Sequence, residues 1–525
     1  MPDFASEQDW MLALQSALGC QADLINLIDE VRNSQSEDVM SASIFRSTER
    51  RVSPHLAHDL LWRFRALKKF NTDVIPQDLA TKAIEGFKER NASVGDRSVI
   101  RPAIRAIMRR LLNEWLPTFP DDEFPSLLPR LGPGAVAEHF SYLRKRELLV
   151  RGADAYWTLM SHQCEDSMID HHTARLCAVP KTVDKARLIT VEPYLHTLVQ
   201  QAARSYITRS MMFGSLMRYR AYRRFWDVMP SHQRYRALAS SADGRDATID
   251  LSNASDCIPY DLVADIFPGH IMAWVDISRS TLFRDDKGVY PLNIFGGMGN
   301  ATTFIVETLT FAAYVISIAQ YYSLPARCTV FGDDIICSSE LYDSGLLEKE
   351  SSFFQVNKSK SFSGCNPMRE SCGIFAYLGE DITCPCIRGY NTTLPQGKLA
   401  LAELCQGLID SRFLSQNLLA SWIVSSGVLP NLRFLPENYP GVCCWWEPWT
   451  EQRIRINRNT QQRETFLPIA REKVRLMPAD KHWMLPAASI DAITTVNRKV
   501  GNRNRSFVTI PTGKYRVTGS WLPVS

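Results

Sequence analysis

The stretch Thr329-Val330-Phe331-Gly332-Asp333-Asp334-Ile335-Ile336-Cys337 sets a glycine and two adjacent acids between two short β-branched and aromatic runs. Such runs suit a pleated, half-buried surface and the glycine suits a tight turn, so the stretch predicts a hairpin that carries carboxylates at its tip. An Asp-Asp pair alone decides nothing, because Asp121-Asp122 and Asp285-Asp286 also occur, in polar contexts. What distinguishes Asp333 and Asp334 is apolar strand on both sides, which puts costly anions at the edge of a buried sheet.

A second acid stands in the same setting. Asp250 ends Ala247-Thr248-Ile249 and is followed by Leu251-Ser252-Asn253-Ala254-Ser255-Asp256. Two strands ending in acids predict one site. Nucleotidyl transfer needs that arrangement: one divalent ion lowers the pKa of an attacking hydroxyl and a second holds the triphosphate, with neighbouring carboxylates keeping the ions roughly 3.5–4 Å apart. Asp250 and Asp333 are the expected bridging ligands, with Asp334 adjacent.

Between these acids lies Phe295-Gly296-Gly297-Met298-Gly299-Asn300-Ala301-Thr302-Thr303-Phe304, whose glycines allow a nucleic-acid backbone or sugar to come close. It opens a long apolar run, Ala301 to Ala319, which Glu307 and several threonines interrupt; the run reads as a buried helix rather than a membrane span. Upstream, Lys181, Lys185 and Arg187 are separated by even numbers of residues, so on one extended stretch they share a side and suit a triphosphate channel. Beyond the acidic hairpin, Lys358 and Lys360 are placed to protonate a leaving pyrophosphate, and either reads equally well as a solvated lysine.

With 525 residues, 45% hydrophobic and 22% charged, the chain can bury a large core, which excludes a small binding module and a mostly disordered, collagen-like or heptad-dominated protein. The net charge of +4 hides an asymmetry. Arg204–Arg245 holds nine arginines against Asp227 and Asp243, and Glu451–Ser525 holds 14 Lys and Arg against five acids. Basic regions apart from an acidic centre are expected where a polyanion is held against metal-binding carboxylates. Tyr206, Tyr219, Tyr222, Phe225, Trp226 and Tyr235 lie among the first set of arginines, and aromatic and guanidinium faces together make a platform for unstacked bases; an amphipathic helix with a basic outer face is the alternative.

The 13 cysteines are scattered without CxxC pairs, and with no signal peptide in Met1–Gln15 they are expected to be free thiols in a reducing cytosol. Cys164, His171, His172 and Cys177, and likewise Cys365, Cys372, Cys384 and Cys386, lack the spacing of a zinc site. Helical spacing dominates residues 1–115. Prolines crowd 117–133 as a connector, α+β texture follows from about Ala178, and 388–428 again read as helical.

The ordered set of Val179–Ile189, Asp250–Asp256, Gly297-Met298-Gly299-Asn300, Phe331-Gly332-Asp333-Asp334, Asn357-Lys358-Ser359-Lys360 and Arg369-Glu370-Ser371-Cys372-Gly373 resembles the RNA-directed RNA polymerases of the leviviruses, the catalytic beta subunits of replicases of single-stranded RNA phages. The resemblance covers roughly Ala178–Gly373. It implies an α+β right-hand fold of fingers, palm and thumb with an antiparallel palm sheet: a helical region over 1–115, fingers over 116–245, palm over 246–387 with a finger insertion at about 260–295, and thumb with a basic C-terminal region over 388–525. It implies primer-independent RNA synthesis with two Mg²⁺ ions, which Mn²⁺ can replace, in the cytoplasm of a bacterial host and without a membrane.

Carried onto this chain, the resemblance makes Asp250, Asp333 and Asp334 metal ligands. Asp256 with Asn300 would read the ribose 2′-hydroxyl, and Gly299 belongs to the same nucleotide-binding loop. Lys181, Lys185 and Arg187 fall in the nucleotide-entry motif, and Lys358 or Lys360 in the general-acid motif. Phe331 stands where the family usually has Tyr, and Gly297 where Ser is common. Implied partners are RNA template and product, ribonucleoside triphosphates, the host elongation factors Tu and Ts, and a ribosomal protein in some members. A reverse transcriptase is the nearest alternative, and Asp256 argues against it because such enzymes exclude the 2′-hydroxyl with a bulky side chain. A non-catalytic RNA-binding or translation-repressing protein would show steep salt dependence and indifference to Mg²⁺.

Overall fold

The computed structural model describes residues 77–95, 100–118, 134–140, 173–182, 185–218, 224–384, 454–457, 463–478, 495–500 and 503–523, with a few single positions besides. The helical reading of 388–428, the helical residues before 50, Tyr219, Asp121-Asp122 and most of the 117–133 connector lie outside the described residues.

The centre is a three-stranded antiparallel sheet. Its middle strand is β7 (Asp334–Ser338), flanked by β3 (Asp246–Ile249) and β6 (Cys328–Phe331). Ala247, Thr248, Ile249, Val330, Ile335, Ile336 and Cys337 are all buried, so these strands lack polar alternation and read as continuous apolar runs. Behind them runs α7 (Thr303–Tyr321), with 15 of its 19 residues buried. Its threonines and serine are tolerated because they return their hydroxyls to the helix: Thr308 to Phe304 O, Thr310 to Val306 O and Ser317 to Ala313 O. The helix is long and apolar enough to cross a membrane, yet 83% of its apolar window is buried inside this fold.

Helix α4 (Phe225–Asp243) packs on the sheet, and Gln233 ties it down by donating to Thr329 O and Asp334 O. Alongside sits a second small sheet with strand order β10 (Glu380–Asp381), β9 (Ile374–Tyr377) and β8 (Met368–Ser371). Fully buried Arg369 joins the two sheets by donating to the carbonyls of Asp246, Gly364, Asn366 and Met368.

A four-stranded sheet forms the facing wall, in the order β2 (Lys185–Val191), β1 (Thr173–Thr182), β4 (Leu282–Asp285) and β5 (Gly288–Pro291). The 282–291 hairpin therefore joins residues 173–191, through parallel pairing of β1 with β4. Helix α1 (Gln77–Ser93) covers it through an edge-to-face contact of Phe87 with Phe283, ring centroids 5.3 Å apart, and a 2.5 Å ion pair from Lys88 to Asp285. The C-terminal region is a further antiparallel sheet, in the order β11 (Ile454–Ile456), β12 (Arg463–Pro478), β14 (Arg503–Pro523) and β13 (Thr495–Val500).

Candidate active site

Phe331 pairs with Asp334, leaving Gly332 and Asp333 as a two-residue hairpin turn. Gly332 has φ +66°, the left-handed value that the first turn position of a type II′ hairpin requires. Space demands glycine as well: a methyl group there would sit 2.4 Å from Phe304 Cε2. The Gly332 amide donates to Thr308 Oγ1 at 2.8 Å, which fastens the turn to α7. Asp333 is exposed at the tip and Asp334 is half-buried at its foot.

Register brings in the third acid. Ile249 pairs with Ile335 across β3 and β7, so the next position on each strand sets Asp250 beside Asp334. The Asp250 carboxylate accepts from Asn357 Nδ2 at 2.9 Å, its amide donates to Ser361 Oγ, and its carbonyl accepts from the Asn357 amide. These bonds lay the 357–361 loop along the acids.

The electrostatics match this crowding. Burial, with the Asp333 and then the Asp250 carboxylate beside it, pushes Asp334 up to about 6, although the Cys372 amide and thiol donate to it and pull the other way. Asp285, also at a hairpin turn, shows the contrast: burial raises it, but the Lys88 ammonium and the Lys287 and Gly288 amides hold it below the usual carboxylate range. Carboxylate oxygens crowded together at one hairpin tip suit a hard divalent ion. Among the described residues no three His, Cys, Asp or Glu side chains converge closely enough to hold a metal ion as they stand, so the donor chemistry fits such an ion and the spacing is more open than a closed cage.

The cations arrive differently from the single extended stretch that the even spacing predicts. Lys181 is the penultimate residue of β1 and Lys185 opens β2, with Thr182 paired to Lys185 and a register shift at Lys181, so the three cations lie on two arms of a hairpin. They still gather. Burial lowers the Lys181 ammonium, Lys360 and Arg187 lower it further, Asp250 acts in the opposite sense, and Lys185 adds a smaller repulsion. Lys360 therefore shares a field with Lys181 and Asp250. Lys358 is exposed, pairs with Glu348 and lies 5.6 Å from the Tyr342 ring centroid.

The glycine-rich loop owes its composition to close packing. A methyl group on Gly299, φ +133°, would sit 2.0 Å from Thr190 O, and one on Gly297 would sit 2.5 Å from Thr190 Cγ2. Thr190 N donates to Met298 O, lacing the loop to β2. Asn300 is buried, and its Oδ1 accepts from both the amide and the hydroxyl of Thr302, which leaves its amide nitrogen for other partners.

Asp256, in the turn Ser255–Cys257, is held by Arg90 of α1, whose Nη2 lies 2.9 Å from Oδ2. Arg90 has no local signal in the sequence. Glu307 does have one, as a lone acid that interrupts the apolar run of α7. It is buried, and its electrostatic neighbours are Asp333 and Asp256.

Among the aromatics of 204–245, Tyr206, Tyr222 and Phe225 are core residues, as the amphipathic-helix alternative has it, while Trp226 and Tyr235 are exposed. The Arg204 guanidinium lies 5.0 Å from the Trp226 ring centroid.

Fold and site together define an α+β protein with a carboxylate-tipped hairpin faced by cations. A family profile described as "RNA replicase, beta-chain" matches residues 89–405, more than half of the chain, and the chain belongs to that family. It is 33% identical over 216 residues to the RNA-directed RNA polymerase subunit beta of Qbeta virus (strain MX1), covering 39% of this chain and 34% of that protein. It is 28% identical over 317 residues to the RNA-directed RNA polymerase beta chain of Escherichia phage MS2, covering 57% and 55%. For the corresponding protein of Enterobacteria phage fr the figures are 29% over 244 residues, 45% and 42%. The matched stretches span from about a third to just over half of these relatives' length. Among solved structures, the RNA-dependent RNA polymerase of a human picorbirnavirus, as an insertion-loop deletion mutant, aligns with TM-score 0.43 and 12% identity over 78% of this chain and 84% of that one.

Proposed function

We propose that the chain is an RNA-directed RNA polymerase that copies a single-stranded RNA phage genome from ribonucleoside triphosphates, without a primer, in the cytoplasm of a bacterial host. The observation that carries this reading is the register that sets Asp250 beside the Asp333-Asp334 hairpin, inside the segment matched to the replicase family. On this reading the chain divides as a right hand: fingers over 116–245, palm over 246–387 with the insertion at about 260–295, and thumb with the C-terminal region over 388–525. Elongation factors Tu and Ts and a ribosomal protein are the host partners it includes.

Asp250, Asp333 and Asp334 would hold the divalent ions, Mg²⁺ or Mn²⁺, which when bound supply positive charge to the attacking hydroxyl and the triphosphate. Lys181, Lys185 and Arg187 bind and orient the triphosphate as point charges and a fork. Lys360 is the proton donor to the leaving pyrophosphate; its field is shared with Lys181 and Asp250, whereas Lys358 faces Glu348. Asp256, steadied by Arg90, stands at the sugar, and the Gly299-Asn300 loop shapes that wall.

The test is incorporation of four ribonucleotides on single-stranded RNA by the purified chain, alone and with bacterial extract, against RNA binding in filter assays. Mg²⁺-dependent synthesis supports the reading. RNA binding indifferent to Mg²⁺, without synthesis in either condition, favours a binding protein.

A further inference from the structure

Glu307 is the one acid in the interior of α7. It is 6% exposed, and no hydrogen bond to its carboxyl is made among the described residues. A buried carboxyl without a donor costs free energy that an apolar side chain at the same place would avoid. Packing gives no reason for it, because every neighbour along the helix from Ile305 to Thr310 is equally buried.

Its position supplies the reason. Phe304 and Thr308, on the same turn of α7, clasp Gly332 of the acidic hairpin. The turn that carries Asp256 packs on the same helix. Glu307 thus lies between the tip that presents Asp333 and the turn that presents Asp256, and these two acids are the charges it feels. On the proposed function, the space between the reacting centre and Asp256 is where the sugar of the entering nucleotide sits.

Resting on that reading, we infer that Glu307 is a sugar-reading residue, whose carboxyl meets the ribose hydroxyls of the entering ribonucleotide together with Asp256. Burial, then the Asp333 and Asp256 carboxylates, raise the Glu307 carboxyl well above the usual carboxylate range, and a carboxyl accepts from a sugar hydroxyl in either form and donates to one when protonated. Asp256 already accepts from Arg90 and Asn300 Oδ1 already accepts twice from Thr302, whereas the Glu307 carboxyl makes no hydrogen bond among the described residues.

The experiment compares the full chain with Glu307→Leu and Glu307→Gln. One arm measures kcat and KM for cytidine triphosphate and its 2′-deoxy analogue on an RNA template. A second arm measures binding of the α,β-methylene forms of both nucleotides, which cannot be incorporated, by equilibrium dialysis with Mg²⁺ and template. Glu307→Leu should narrow the ribose preference by roughly tenfold, in KM and in dialysis rather than in kcat. Glu307→Gln, which keeps a donor and an acceptor, should retain the preference. The melting temperature of the Leu variant should equal or exceed that of the parent, whereas loss of a structural residue would lower it. An unchanged ribose preference in the Leu variant, or a loss confined to kcat, overturns the inference. A parent chain that makes no polymer yet prefers the ribonucleotide in dialysis contradicts the polymerase reading and leaves the dialysis arm to decide the role of Glu307.

Discussion

Asp334 shows what the site costs the fold. Its pKa is raised in the native state, to about 6 from a usual value of 3.8, so folding takes up protons there. The stability this group contributes is complete below about pH 4 and is lost as pH rises to about 6. Asp334→Asn should therefore raise the melting temperature at pH 8, leave it nearly unchanged at pH 4, and cut polymerisation by at least a hundredfold. A melting curve with the same pH dependence in both proteins would contradict this. The two lysines separate at the same scale. Lys360→Leu is expected to lower kcat by roughly ten- to a hundredfold, as loss of a positioned proton donor does, and Lys358→Leu to stay within about twofold, since an exposed pair such as Lys358–Glu348 contributes little. Steady-state kinetics of both variants decides between them.

At the scale of elements, two hairpins meet at the site, and each has a turn that few residues can occupy. Gly332→Ala forces a methyl group into Phe304 at a left-handed φ, so it should destabilise the chain by about 2–3 kcal/mol in urea unfolding and displace Asp333. The second hairpin turns at Cys372 and Gly373, φ +47° and +78°, and delivers the Cys372 donors to Asp334. Buried Arg369 holds its base. Burial brings that guanidinium down to about 10, so it is charged at neutral pH, and Arg369→Met should cost about 3 kcal/mol or more by leaving the carbonyls of Asp246 and Gly364 without a donor. The unfolding midpoint in urea measures both variants.

These elements differ in how far the sequence shows them. The β3, β6 and β7 strands are legible because short apolar runs end in acids, and α7 because a long apolar run follows a glycine loop. The pairing of β1 with β2 is not, since the even spacing of Lys181, Lys185 and Arg187 fits one continuous extended stretch equally well. Arg90 is invisible locally: its partner Asp256 is 166 positions away.

Over the whole molecule, the C-terminal sheet is the part least legible in the sequence. Prolines 468, 478 and 511 fall within its strands, where a missing amide argues against β structure, and that hid the strands β12 and β14. Register across these long strands shifts between Glu472 and Val474. Of the 14 Lys and Arg of Glu451–Ser525, 11 fall on the strands of this sheet, so on the proposed function its removal should weaken RNA binding and flatten the salt dependence of what remains. Filter binding at several salt concentrations measures this.

On the proposed function, Asp250 and the Asp333-Asp334 hairpin form one reactive centre for RNA synthesis. Asp333→Asn removes a metal-binding charge and almost no volume. Assayed beside the parent for Mg²⁺-dependent ribonucleotide incorporation and for template binding, it should lose at least a thousandfold in incorporation and bind template within about threefold. Substantial retained incorporation would show that Asp333 does not belong to the reacting centre.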